Sequence, residues 1–188
     1  MLLSDKRILE EREKGNIVIE PFDEVHLGTN SYDVRIGDYY YAGGRFITDV
    51  HLLSVDDVML YWGLPVQATD EMPVDPGSTI LAHTVERIAV TNGITFKMHS
   101  RSTIGRCGLS VCRCSGLGDV GYDGRLTMEV SNHTHARMWI PVNMRVAQIT
   151  FEDVGETLKQ YHGKYGQRGW QPEDMLPKPY LDFDLVVS

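Results

Sequence analysis

The chain has 188 residues, enough for one domain or for one domain with a tail. Its 42% hydrophobic and 23% charged content is that of an ordinary globular protein, and no apolar run is long enough to span a bilayer. The net charge of −8 argues against a nucleic-acid polymer as partner, since such partners need a broad basic surface, but it leaves room for a small anion where cations cluster. The opening "MLLSDKRILEEREKG" turns charged at once and does not read as a signal peptide. Three cysteines, Cys107, Cys112 and Cys114, crowd one segment, which suits a reducing, cytoplasmic compartment better than a disulfide framework.

In chain order, Ser4 is placed to cap a helix from Asp5 to about Lys14, with Gly15 ending it. "NIVIEPF" reads as a strand stopped by Pro21, and "SYDVRIGDYYY" as another, followed by a turn at "AGG". "SVDDVMLYWG" fits either a short helix or an extended segment. "MPVDPGSTILAHTVERIAV" holds a Pro-Gly turn before an alternating strand, and "TNGITFKMHSRSTIGRCG" leads to a short helix opening after Ser100 or Ser102. "YDGRLTMEVSN" alternates strictly: Leu126, Met128 and Val130 share one face, and Arg125, Thr127, Glu129 and Ser131 share the other. Short strands at close spacing point to a mainly β sandwich or barrel. From Gly155 onward the chain is polar, with glycines, prolines and aromatics, as expected of a tail that orders on a ligand or partner.

Zinc finds no support, because there is no C-x-x-C pair, no H-E-x-x-H and no zinc nucleobase-deaminase signature. The cysteines read better as buried strand residues. The P-loop, the dinucleotide fingerprint and the hydrolase elbow are also absent. "GLGDVG" sits between strands, where glycines serve turns or bulges. "HSRSTIGR" stands out: hydroxyls and arginines surround Gly105, the chemistry of an anion site at a helix start, although a polar surface turn uses the same residues.

Several motifs in order resemble the dCTP deaminases of the trimeric dUTPase-like superfamily. "NSYDVRIG" resembles the S-Y-D-x-R-x-G motif, and "HSRSTIGRCGL" resembles the R-S-S-x-G-R-x-G-L phosphate motif. "GLGDVGYDGRLTMEVSN" is similar to the G-x-I-D-x-G-[FYW]-x-G-x-[IL]-T-L-E motif, and "YHGKYGQRG" to the K-Y-x-x-Q tail. The resemblance implies a distorted jelly-roll-like β-barrel with short helices over residues 1–155. A segment 156–188 would close over the nucleotide, and a homotrimer would hold its active sites between subunits. It implies zinc-independent deamination of dCTP to dUTP, with Glu129 activating water and Ser102 and Arg106 supporting the reaction. Arg101, Ser102, Thr103, Ile104, Gly105 and Arg106 would meet the triphosphate, joined by Tyr161, Lys164 and Gln167 from the tail. Ser115, Thr127, Met128 and Glu129 would surround the base and the attacking water. Asp119 would contact the deoxyribose and Tyr122 would pack on it. Mg²⁺ would arrive with the triphosphate, held mainly by phosphate oxygens and waters, and dTTP is a common feedback inhibitor in the family. Gly118 and Leu117 replace larger residues of the family pattern, so a wider pocket that admits 5-methyl-dCTP is one expectation. A bifunctional enzyme that also forms dUMP, a plain dUTPase and a non-enzymatic nucleotide-sensing trimer are the others.

Overall fold

The computed structural model describes residues 1–44, 47–113, 116–166 and 169–181. Helix α1 (Asp5–Glu13) is capped by Ser4, whose hydroxyl accepts the Arg7 N–H at 3.4 Å, and it is left through Gly15 at φ +77°. Strands β1 (Ile17–Glu20) and β2 (Tyr32–Ala42) follow. The ambiguous "SVDDVMLYWG" segment is helix α2 (Val55–Trp62). Ser54 accepts the Asp57 N–H at 3.1 Å, and this cap favours helix over extended chain. Then come β3 (Val66–Gln67), β4 (Glu71–Val74), β5 (Thr79–Val90) and β6 (Ile94–Ser100), helix α3 (Ser102–Arg106), β7 (Leu109–Ser110), β8 (Leu117–Gly118), β9 (Asp123–Asn132), β10 (Met138–Pro141) and β11 (Arg145–Asp153). Single helical turns at Pro172–Met175 and Pro179–Leu181 end the described chain.

All strand pairs are antiparallel, and the main sheet runs β7-β9-β5-β2-β11-β6-β8, with β1 added to β5 and β3 to β2. Strands β4 and β10 form a separate ribbon. The mainly β expectation holds. Among the described residues, the two outer strands β7 and β8 do not pair with each other, so the sheet is a curled half-barrel rather than a closed barrel. Its concave side is filled by Tyr32, Ile36, Met72, Ile88, Phe96, Met128 and Phe151, all essentially without solvent contact.

Strands β2 and β5 carry facing irregularities, between Ile36 and Tyr40 and between His83 and Arg87. The polar groups exposed by these bulges are satisfied locally. The Thr84 hydroxyl donates to the Glu86 carbonyl at 2.7 Å and accepts the Leu126 N–H at 2.9 Å. Glu86 is fully buried and accepts both Arg35 Nε, at 2.7 Å, and the Arg35 main-chain N–H, at 2.9 Å. Gly37 is required here, because a Cβ at that position would lie 1.9 Å from the His83 ring. Arg87 ties three strands together: it forms a bidentate pair with Asp123 at 2.6 and 2.8 Å and reaches Glu20 at 3.0 Å.

The described part of the tail packs against its own chain. Met175 and Leu176 are buried against Tyr41 and Leu81 of the same chain, with Trp62 and Trp170 packed alongside. Burial pushes the Tyr41 hydroxyl pKa up to about 12, with help from the nearby Glu173 carboxylate.

Candidate active site

Strand β9 builds the floor of a cavity of about 910 Å³. Leu126, Met128 and Val130 turn into the core, while Arg125, Thr127 and Glu129 stay half-buried and line the cavity. After Glu129 the strand is covered on both faces. Ser131 keeps its place on the Glu129 face but is buried there, its hydroxyl paired with Oγ1 of Thr79 opposite it on β5 at 2.8 Å. Asn132 is buried as well and donates to the Val74 and Ala136 carbonyls.

Glu129 is oriented by its surroundings: its Oε2 accepts the Arg113 main-chain N–H at 3.1 Å. Leu81 lies opposite it on β5. Asp119 opens the turn that leads into β9, and its carbonyl accepts the Tyr122 N–H at 3.0 Å. That turn needs Gly121 at φ +100°, where a side chain would be strained and would also press on the tail at Tyr161. Burial raises the Tyr122 hydroxyl pKa far above its ordinary value, with smaller contributions from Tyr161 and Asp123, so the phenol stays neutral. It donates to the Arg125 carbonyl at 2.9 Å, and its ring meets Tyr161 at 6.1 Å. The tail is pinned over this corner by the Tyr161 N–H, which donates to the Val120 carbonyl at 2.7 Å.

The structure therefore gathers Asp119, Tyr122, Thr127, Glu129 and Tyr161 around one cavity. The other described candidates do not line it within this chain. Met128 is fully buried on the opposite face of β9. Ile104 is buried in the core and anchors α3, whereas Ser102, Thr103, Gly105 and Arg106 are exposed and lie outside the cavity wall. Arg101 is engaged elsewhere, paired with Asp33 at 3.1 Å. Lys164 donates to the Lys178 carbonyl at 3.2 Å rather than lining the cavity. Ser115, Cys114 and Gln167 lie outside the described residues. Of the other cysteines, Cys107 is exposed at the end of α3 and Cys112 is only half-buried, so the buried-strand reading of the thiols does not hold for them.

Residues that sequence reasoning did not place here also line the cavity: Arg113, Arg125, Trp170 and Asp174, and Tyr61 and Trp62 from α2. Arg113 also borders a second cavity, of about 440 Å³, which adjoins the first through Gly77, Ser78 and Thr79.

Gly118 does not leave the void expected of it. A Cβ there would lie 1.9 Å from Phe96 Cζ, so the Phe96 ring already occupies the space that a larger residue would take. Phe96 then packs edge-on against Tyr122 at 5.6 Å. Gly118→Ile should thus cost about 1–3 kcal/mol through overpacking. Pairing it with Phe96→Leu should recover most of that loss, which a thermal-melt double-mutant cycle would register as non-additivity.

Behind the cavity, His83 is 1% exposed. Its Nε2 accepts the Tyr39 N–H at 3.2 Å and its Nδ1 faces the Thr84 carbonyl at 2.9 Å, an arrangement that fixes the neutral ring with the proton on Nδ1. Burial, reinforced by Arg125, lowers its pKa below the ordinary 6.5, against the opposing pull of the Thr84 carbonyl and Asp38. The unfolded chain then binds a proton more readily than the folded one. The stability held by neutral His83 is complete above the unfolded value of 6.5 and declines as pH falls through it toward the depressed folded value. Urea midpoints taken from pH 7.5 down to 5 should fall more steeply for the wild type than for His83→Gln.

The residues from Leu2 to Val154 match the family model described as dCTP deaminase-like. The chain belongs to the dCTP deaminase-like family. It is 33% identical to a dCTP deaminase of Haloarcula marismortui over 184 residues, which is 91% of this chain and 93% of the relative. It is 31% identical over 196 residues to a protein of Methanosphaera stadtmanae named dCTP deaminase, dUMP-forming, covering 98% of this chain and 97% of that one. A second dUMP-forming relative, from Persephonella marina, is 34% identical over 173 residues, covering 90% and 94%. The half-barrel superposes on a crystal structure of 2′-deoxycytidine 5′-triphosphate deaminase from Agrobacterium tumefaciens with a TM-score of 0.62 at 19% identity. That match covers 80% of this chain and 48% of the other, and it concerns the fold. Among the described residues, no helix is long and apolar enough to cross a membrane.

Proposed function

We propose that the protein hydrolyses dCTP to dUTP and ammonia, with Glu129 as the proton-transferring group. The observation that carries this reading is one half-buried carboxylate, oriented by a main-chain N–H, inside a cavity shared with Asp119, Tyr122 and Thr127. Glu129 removes a proton from water as its oxygen bonds to C4 of cytosine. It delivers that proton to N3, and a second proton transfer to the amine lets the C4–N4 bond break with release of ammonia. Tyr122 supports the deoxyribose from below and leaves little room for a 2′-hydroxyl, and Asp119 binds the sugar.

Mg²⁺ would be held by the triphosphate oxygens and water. The protein's part would be to bind the charged phosphate chain.

The hydroxyl and arginine motif on α3 is exposed and lies away from this chain's own cavity. The reading accounts for this with a homotrimer in which Ser102 and Arg106 of one copy complete the cavity of the next. Two inactive variants should then rescue each other. Glu129→Ala and Arg106→Ala, unfolded and reassembled together, should regain activity in about a quarter of the sites by random assembly. Activity no greater than that of either variant alone would contradict a shared site.

A second reading is favoured by the dUMP-forming relatives and by Asp119 on the same cavity wall as Glu129. In that reading Asp119 directs a water at the α-phosphorus, giving dUMP and pyrophosphate. Chromatography of the products from dCTP separates the two: dUTP alone supports the first, and dUMP with pyrophosphate the second. Since Phe96 fills the space beside Gly118, a preference for 5-methyl-dCTP has only Leu117 in its favour.

A further inference from the structure

Six arginines of this acidic chain, Arg7, Arg35, Arg87, Arg101, Arg137 and Arg145, are each paired with a carboxylate. Arg125 has no carboxylate partner among the described residues, yet it lines the cavity. It stands on the same face of β9 as Thr127 and Glu129. Four residue steps along the strand separate it from Glu129, about 13 Å along the axis. That separation matches the reach of an extended nucleotide from its base to its phosphate chain.

The guanidinium is held in place. It lies 4.9 Å from the centre of the Trp170 ring, and Trp170 in turn rests on His83 with ring centres 4.2 Å apart. His83 is buried and neutral, with both ring nitrogens engaged, so the stack has a rigid, uncharged base and one cation at its open end. A guanidinium stacked on an indole keeps its N–H groups in the ring-parallel plane, where they can fork onto phosphate oxygens. No described residue accepts a hydrogen bond from the Arg125 side chain.

We infer that Arg125, fixed by Trp170, binds the phosphate chain of the nucleotide and makes the site selective for the triphosphate. This contact comes from the same chain as Glu129 and links closure of the tail to recognition of the phosphates. It rests on the nucleotide reading of the cavity given above.

The test is calorimetric titration of wild type, Arg125→Gln, Arg125→Lys and Trp170→Ala with dUTP, dUMP and deoxyuridine, with Mg²⁺ present. Loss of one charge-assisted contact should weaken dUTP binding by Arg125→Gln about ten- to a hundredfold. Deoxyuridine binding should stay within about threefold, and the preference for dUTP over dUMP should shrink accordingly. Arg125→Lys should recover part of the loss, and Trp170→Ala should weaken dUTP more than deoxyuridine. Equal weakening of dUTP and deoxyuridine, or no weakening of either, would overturn the assignment. Because binding is read without turnover, a wild type that binds dUTP but releases no ammonia from dCTP would count against the deaminase reading while leaving Arg125 tested.

Discussion

Glu129→Gln should lower kcat for dCTP by about 10²- to 10⁴-fold while KM changes little. The substitution is nearly isosteric, and the amide oxygen can still accept the Arg113 N–H that now meets Oε2 at 3.1 Å. The cavity and its contacts with Asp119, Tyr122 and Thr127 therefore persist, and nucleotide affinity should persist with them. What disappears is a group able to take a proton from water and return it to the ring. A drop in kcat with KM held constant is the signature of an interaction used in the transition state alone. Ammonia release followed by a coupled assay gives kcat, and titration with dUTP gives affinity. Turnover within about threefold of wild type would remove Glu129 from the chemistry.

Glu86→Ala should destabilise the fold without touching the cavity. Glu86 has no solvent contact and receives two hydrogen bonds from Arg35, one from the side chain and one from the main chain. The Arg35 side chain keeps 25% of its exposure and can turn to solvent, so the loss falls mainly on its main-chain N–H, left without an acceptor at a cost of about 1–3 kcal/mol. At about 2–4 °C per kcal/mol for a chain of this size, the melting temperature should fall by roughly 2–12 °C. Glu86→Gln keeps an acceptor for the Arg35 main-chain N–H and should lose less. A melting temperature for Glu86→Ala within about 2 °C of wild type would show that the pair contributes little.

Much of the fold was legible because the local signals are strong and agree with one another. Ser4 with Gly15 bounds α1, and the period of two over Leu126, Met128 and Val130 places the core face of β9. The period could not report that Ser131 and Asn132 are buried, since their partners Thr79 and Val74 come from distant strands. The sheet's open edge was equally hidden, because closure depends on how far strands curl rather than on any local pattern. At the site, motif order led to Asp119, Tyr122, Thr127, Glu129 and Tyr161. Arg125 was visible on the Glu129 face of the strand, but nothing in the sequence said that Trp170 would return to stack on it. The apparent void at Gly118 was misread for a related reason: a missing side chain is silent about the Phe96 ring that fills its place. The motif on α3 is exposed and does not line this chain's own cavity, so its reading as a phosphate contact rests on motif order.

The most direct measurement is turnover of dCTP in water enriched in oxygen-18, with products resolved by mass spectrometry. If Glu129 activates water for attack at C4, every uracil product carries one heavy oxygen on the base, and ammonia appears in equal amount. A heavy oxygen on the phosphate retained by dUMP as well, with the pyrophosphate unlabelled, would mark the dUMP-forming reaction. Unchanged dCTP, or cleavage of its phosphates with the cytosine amine intact, would contradict the assignment of this cavity to deamination.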